Sequence, residues 1–261
     1  MSKISDSTFT VPAKHNPRLQ TLVDRINADE ELRQMWRCAN VNAVDRLEMS
    51  DHGVVHMRIV ANAALRLVRL LREAGYPASA VVNHHLAPEA AEVVVVLASA
   101  LHDLGIVIHY ERHAELGLPL ARQKALALLA GLFPIREQTI IIAEILHAIM
   151  THHDQARCLT LEAGILKLVD ALDMTAGRLR PAAGFNGPTR QMGNTVVGQV
   201  LINKGEAKPV QVELRMSRTA DLRQIEDALQ QKLQHSPLFG LVEVVTRTEH
   251  NVPPLYELET Q

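Results

Sequence analysis

The most restrictive stretch of this chain is the run from Val93 to Leu101, which is followed immediately by His102 and Asp103. A segment apolar on every side, if helical, must lie in the middle of a fold and not on its surface. Gly105 is placed to cap such a helix, which puts His102 and Asp103 in the last turn, where unpaired carbonyls and the macrodipole favour a cation. A carboxylate there opposes the dipole, and one buried without a partner is strongly unfavourable or takes up a proton. The partner can be a metal ion, an Arg or Lys, or a run of backbone N–H groups. These two residues alone do not choose among them.

The 261 residues suffice for one large domain or two modest ones with a real core. Apolar residues make up 47% of the chain but aromatic residues only 3%, which suits packed helices better than a base-stacking surface. A net charge of -2 and a pI near 6.7 leave no basic footprint, so general nucleic-acid binding is not expected. Cys38 and Cys158 lack CxxC spacing and read as reduced thiols. The first residues show no signal pattern, and no apolar run approaches the roughly 18 residues of a membrane span, so the expectation is a cytoplasmic protein with no membrane partner.

After an irregular arm over residues 1–20, the pattern predicts a helix from about Pro17 to Asn27 and one or two more between Glu30 and Leu47. A long helix opens at Ser50 or Asp51 and ends near Gly75. On it His52, His56, Ile59, Ala63, Leu67 and Leu70 share one stripe, so two histidines at i and i+4 face the core and can converge on one ion. His84 and His85 read as solvated loop residues. His113 begins a helix that continues toward Gly131 and can point back at Asp103, whereas His109 precedes it and receives no role. On a helix from Thr139 to Asp154, His152 lies on the apolar stripe with Ile141, Ile145 and Ala148, and His153 lies on the adjoining apolar flank. His147 groups with Glu144 and Thr151 as a solvated or supporting residue. From Leu161 to Gly177 a further helix carries Asp170 among Ala163, Leu166 and Met174, with Asp173 one turn on. Arg178 and Arg180 follow as dipole partners or as positive charge for a phosphate.

The segment Pro181 to Pro188 breaks the composition and divides the chain into a helical domain, 1–184, and a small α+β domain, 185–261. In the second, strands at Val196–Ile202 and Pro209–Met216 flank a turn at Asn203–Gly205. A helix capped by Thr219 and a strand at Leu241–Arg247 complete a β-β-α-β unit with one polar sheet face. No ligand cluster lies here, so packing, homo-oligomer formation or effector binding is its expected role.

The ordered set His56, His102-Asp103 and Asp170 resembles the HD domain superfamily of metal-dependent phosphohydrolases over roughly residues 30–180. The stretches Asp51 to His56 and Gly205 to Val210 also look like uncharacterised microbial HD proteins with a C-terminal α/β domain. The resemblance implies a mostly α fold, an HD-type bundle followed by the small α+β unit. It implies that His56, His102, Asp103 and Asp170 bind a divalent ion, that Asp103 can bridge to a second, and that His113, His152 and His153 complete the second site. One or two ions per chain follow, drawn from Mn2+, Fe2+, Co2+, Ni2+, Zn2+ or Mg2+.

The implied reaction is hydrolysis of a small phosphate ester, a nucleotide or a related molecule, by a metal-activated water. Asp103 would orient the water, and His52 or His113 would protonate the leaving oxygen. Ile106 stands where cyclic-dinucleotide hydrolases of this superfamily carry lysine, and Gln155 to Cys158 replaces their Gly-Tyr-Pro segment, which counts against that substrate. The alternatives are a noncatalytic nucleotide or phosphate sensor and a di-iron oxygenase on the same fold.

Overall fold

The computed structural model describes residues 8–153, 156–173, 197–216 and 222–248. Helix α1, Pro17–Ala28, is opened by Pro17 in its first turn and by Asn16, whose side chain accepts from the Leu19 amide at 3.1 Å. Helix α2, Glu30–Asn40, is capped in the same way by Asp29 and runs on into a π-helical turn, Val41–Arg46. Next come α3, Val54–Glu73, and the short α4, Ser79–His84. The central helix α5, Pro88–Leu101, leads into a 3-10 turn, Leu104–Val107. Helices α6, His113–Leu129, α7, Ile135–Thr151, and α8, Leu161–Leu172, complete the helical part.

Every residue from Val93 to Leu101 has no exposed surface, and α1, α3, α4, α6, α7 and α8 all touch α5. Burying each valine or leucine of such a run contributes about 1.5–3 kcal/mol, so α5 is the post on which the bundle is assembled. The segment Pro88–Val107 has the length and mean hydropathy of a membrane span, which the run lengths in the sequence did not suggest, and 94% of it is buried inside the protein. Of the two charged residues on α5, Glu89 is exposed and Glu92 intrudes on the core. Glu92 is buried and receives a paired contact from Arg69 of α3 at 2.9 and 3.0 Å, with Asn16 at 3.2 Å.

Several expectations change in detail. The long helix starts at Val54, not at Ser50 or Asp51, because the Asp51 carboxylate accepts the Gly53 amide at 2.6 Å and Asn40 accepts the His52 amide at 2.8 Å, which fixes a turn there. His52 therefore precedes the helix instead of lying on its stripe. Gly75 has φ +88° just beyond the end of α3, where a residue without Cβ is needed. Gly105 is not a left-handed cap. It lies in the 3-10 turn, where an added Cβ would collide with the His113 carbonyl and stand 2.6 Å from the Gly117 amide. His84 ends a helix instead of lying in a loop.

In the last part, β1, Val197–Lys204, pairs antiparallel with β2, Val210–Met216, and β2 pairs parallel with β3, Val242–Thr248. Helix α9, Leu222–Gln234, makes the crossover from β2 to β3. The first strand runs through Asn203 and Lys204, which were expected in the turn. Val210, Val212, Leu214, Leu229, Leu233 and Leu238 belong to the same buried cluster as the helical core. The opposite sheet face is polar, with Glu213 beside Arg215 at 2.7 Å. Arg66 of α3 donates to the Ile202 carbonyl, and Cys158 donates its amide to the His235 carbonyl at 2.9 Å. The expected boundary at 181–188, Arg178, Arg180 and Thr219 lie outside the described residues.

The Glu92 contact predicts a pH-dependent stability. Burial alone would raise this carboxyl, but Arg69, Asn16 and Arg72 outweigh it and hold the group below its ordinary 4.5. The stabilisation is present above 4.5 and is lost as pH falls through the lowered value. Arg69→Ala is expected to cost about 2 kcal/mol in urea unfolding at neutral pH, since it strands a buried carboxylate. Its deficit against the wild type should close in acid.

Candidate metal centre

The C-terminal ends of α5, α7 and α8 and the N-terminal ends of α3 and α6 supply one cluster of side chains. His102 is the C-cap of α5 and His152 the C-cap of α7; Asp170 lies in the last turn of α8 and Asp173 at its C-cap. His56 sits in the first turn of α3, and His113 opens α6. The contact between Gly105 and Gly117 brings α6 against the end of α5, which places His113 Nε2 3.2 Å from Asp103 Oδ1.

Two groups form around the Asp103 carboxylate. In the first, His56 Nε2 is 3.3 Å from both His102 Nε2 and Asp170 Oδ1, and Asp103 Oδ2 is 3.2 Å from His102 Nε2 and 3.5 Å from His56 Nε2. In the second, His113 Nε2 is 3.1 Å from His152 Nε2 and 3.0 Å from His153 Nε2, with Asp103 Oδ1 on their other side. Within each of the triads His56-His102-Asp170 and His113-His152-His153, the donor atoms lie within 4.8 Å of one another. The seven residues that the resemblance implied as metal ligands are thus brought together. His153 is the exposed member, and the others are buried or, for Asp170, partly so.

The ring nitrogens that face away from the cluster determine what it can hold. His102 Nδ1 meets the Ser99 carbonyl at 2.9 Å, His113 Nδ1 that of Tyr110 at 2.6 Å, and His152 Nδ1 that of Ile149 at 2.6 Å. A carbonyl only accepts, so each Nδ1 carries the proton and each neutral ring turns a bare lone pair inward. His56 Nδ1 meets the Asp173 carboxylate at 2.7 Å, with the same consequence. The lone pairs of His56 and His102, 3.3 Å apart, and of His113 and His152, 3.1 Å apart, repel unless a cation lies among them. Asp103 Oδ2 adds to this, being buried with no hydrogen-bond donor among the described residues. The donor set, imidazole nitrogen with carboxylate oxygen, suits a divalent transition metal. The residues present fit such an ion.

The electrostatics agree. Burial would raise the Asp103 carboxyl, but His102, His113 and His56 outweigh it and hold it well below its ordinary value. Burial would lower His102, yet Asp103 and Asp170 raise it to about 9, so a proton enters the cluster when no other cation does. Burial, reinforced by the charge of His102, holds His152 at about 3. Burial and His113 lower His153, so these two stay neutral donors.

His52 stands beside these residues. It is buried, its Nδ1 meets the Ser50 carbonyl at 2.6 Å, and its ring lies 5.6 Å from that of His56 and edge-on to Tyr110 at 5.8 Å. His147 caps a loop, its Nε2 accepting the Leu159 amide at 3.0 Å, and His109 is exposed. The sequence assigned no role to Asp173. Its signal was the i, i+3 spacing from Asp170, which puts both carboxylates on one side of α8.

A pH-dependent stability is expected here too. The contribution of His102 to the metal-free protein is complete below about 6.5 and is lost as pH rises through about 9. The melting temperature of chelator-treated protein should fall across that interval, while Mn2+-loaded protein, whose His102 carries no proton to lose, should show no matching fall.

The HD domain family matches residues 53–175, the span that holds all seven cluster residues and begins immediately after His52. The uncharacterized protein MJ1020 of Methanocaldococcus jannaschii is 29% identical over 238 residues, which cover 91% of this chain and 92% of that protein. With the bundle, the His-Asp doublet and its partners in place, the chain is similar to HD-domain proteins over residues 53–175 and continues into a small α/β unit.

Proposed function

We propose that this centre holds two divalent ions and hydrolyses a phosphate ester of a small molecule, a nucleotide or a related compound. The observation that carries the proposal is the Asp103 carboxylate, whose two oxygens each face a separate triad. Bound ions supply Lewis-acid polarisation of phosphoryl oxygens and acidify water toward neutral pH.

The protein's own residues have distinct parts. Asp103, with both oxygens directed into the cluster, fixes the spacing of the two halves and accepts a hydrogen bond from the attacking water. His113 turns its Nε2 toward His152 and His153, and a nitrogen that serves as a ligand cannot also deliver a proton. His52 is therefore the better proton donor to the leaving oxygen. Its Nδ1 donates to the Ser50 carbonyl, so the proton it can transfer is the one that Nε2 carries when the ring is doubly protonated. The N-terminal ends of α3 and α6, the positive ends of their dipoles, open beside the cluster and favour the charge of a phosphate.

The test is phosphate release from nucleoside monophosphates, diphosphates and triphosphates by Mn2+-loaded protein, with metal content measured on the same samples. Asp103→Ala is expected to lose both ions and all measurable turnover. His52→Gln should keep its metal and lose about 10²–10⁴-fold in kcat. Tight nucleotide binding without product would replace this proposal with a sensor, and turnover unchanged in Asp103→Ala would remove the site from the reaction altogether.

A further inference from the structure

Lys167 is a lysine inside the core. It lies on α8 with no exposed surface, one helical turn before Asp170. Its Nζ donates to the carbonyls of His153 at 2.6 Å, Ala156 at 2.5 Å and Thr151 at 3.4 Å. These carbonyls bracket the turn in which α7 ends and His152 and His153 are presented. A buried ammonium is strongly unfavourable unless it is surrounded by acceptors, and here they are the last carbonyl of α7, that of Thr151, and the carbonyls of His153 and Ala156 just beyond the helix. The turn is further held by the Leu159 amide on His147 and by the Cys158 amide on the His235 carbonyl, so its far end is anchored independently of the lysine.

We propose that Lys167 is a positioning residue for the second ion. Helix α8 gives Asp170 to the first triad directly and builds the second triad through Lys167, which fixes the backbone carrying His152 and His153. One helix thus serves both halves of the centre. A methionine at 167 would match the lysine stem in length but would leave the His153 and Ala156 carbonyls without this donor. The His152-His153 turn would then relax, and His113 would lose its two partners. The first triad, whose residues come from α3, α5 and α8, would keep its geometry. The inference rests on the two-ion reading above.

The experiment is Mn2+ titration of the full-length chain by calorimetry, with ion content after desalting measured by mass spectrometry and the Mn2+ paramagnetic resonance spectrum recorded. Wild type is expected to retain two ions with the spectrum of a coupled pair. Lys167→Met should retain one, with the spectrum of an isolated ion, the affinity of the weaker site falling about 10–100-fold and that of the stronger staying within about threefold. Lys167→Arg, which keeps charge and donors, should recover the second ion. If Lys167→Met does not fold, Lys167→Gln takes its place with the same expectation. Two ions at unchanged affinity in the neutral variant overturn the inference while leaving the two-ion reading intact, and loss of both ions overturns it in favour of a general structural role. A wild type that binds a single ion overturns the two-ion reading, and this inference with it.

Discussion

The structure turns on one buried carboxylate. Asp103 sits at the end of a helix, where the dipole is negative, among imidazoles whose lone pairs point at it and at one another. Taken singly, each of these arrangements is unfavourable. Together they become favourable once positive charge occupies the space between them, and the same pull raises the His102 imidazole to about 9 through Asp103 and Asp170. The rest of the fold can be read as the apparatus that keeps seven such side chains from moving apart.

That apparatus begins with α5. A helix with no exposed residue between Val93 and Leu101 cannot slide or rotate without exposing apolar surface or opening a void, so its C-terminus is a fixed point. The other elements are indexed to it by contacts that tolerate little change. The Gly105-Gly117 approach indexes α6, Arg69 on Glu92 indexes α3, and the packing of Gly164 against Ser236 sets α8 against the small α/β unit. Core and site are therefore the same problem, because the central helix α5 and the helices packed on it are those whose ends carry the clustered histidines and aspartates.

The chain order of the cluster residues and the helices that bear them were legible in the sequence, because both signals are local. His56, His152 and Asp170 stand on helical patterns with apolar neighbours, and the doublet ends an unmistakable apolar run. What was not legible depends on contacts between segments distant in sequence. Helical periodicity carried His52 onto α3, yet Asn40, twelve residues earlier, and the neighbouring Asp51 hold it in a turn. Gly105 resembled a cap because a glycine after a helix usually is one; its true constraint is a carbonyl of α6. Lys167 on a helix reads as a solvated charge until the carbonyls at the end of α7 are seen around it.

The way each histidine is held follows from where it sits on its helix. A helix leaves its last carbonyls without intrahelical partners. His102 and His152 are C-caps, and each donates its Nδ1 proton to the carbonyl three residues back, Ser99 or Ile149. One bond then does two things: it satisfies an orphan carbonyl, and it fixes the tautomer that leaves Nε2 open. His113 finds an equivalent carbonyl, that of Tyr110, in the turn before α6. His56 cannot use this device, because at the start of α3 the carbonyls around it are engaged in the first helical bonds. It takes the Asp173 carboxylate instead. A carboxylate partner makes its imidazole a stronger donor than a carbonyl does, so the first triad, with Asp170 also in it, is the more electron-rich of the two. The two halves of the centre are thus chemically unequal, and the inequality comes from a helix that begins at the site where its neighbours end.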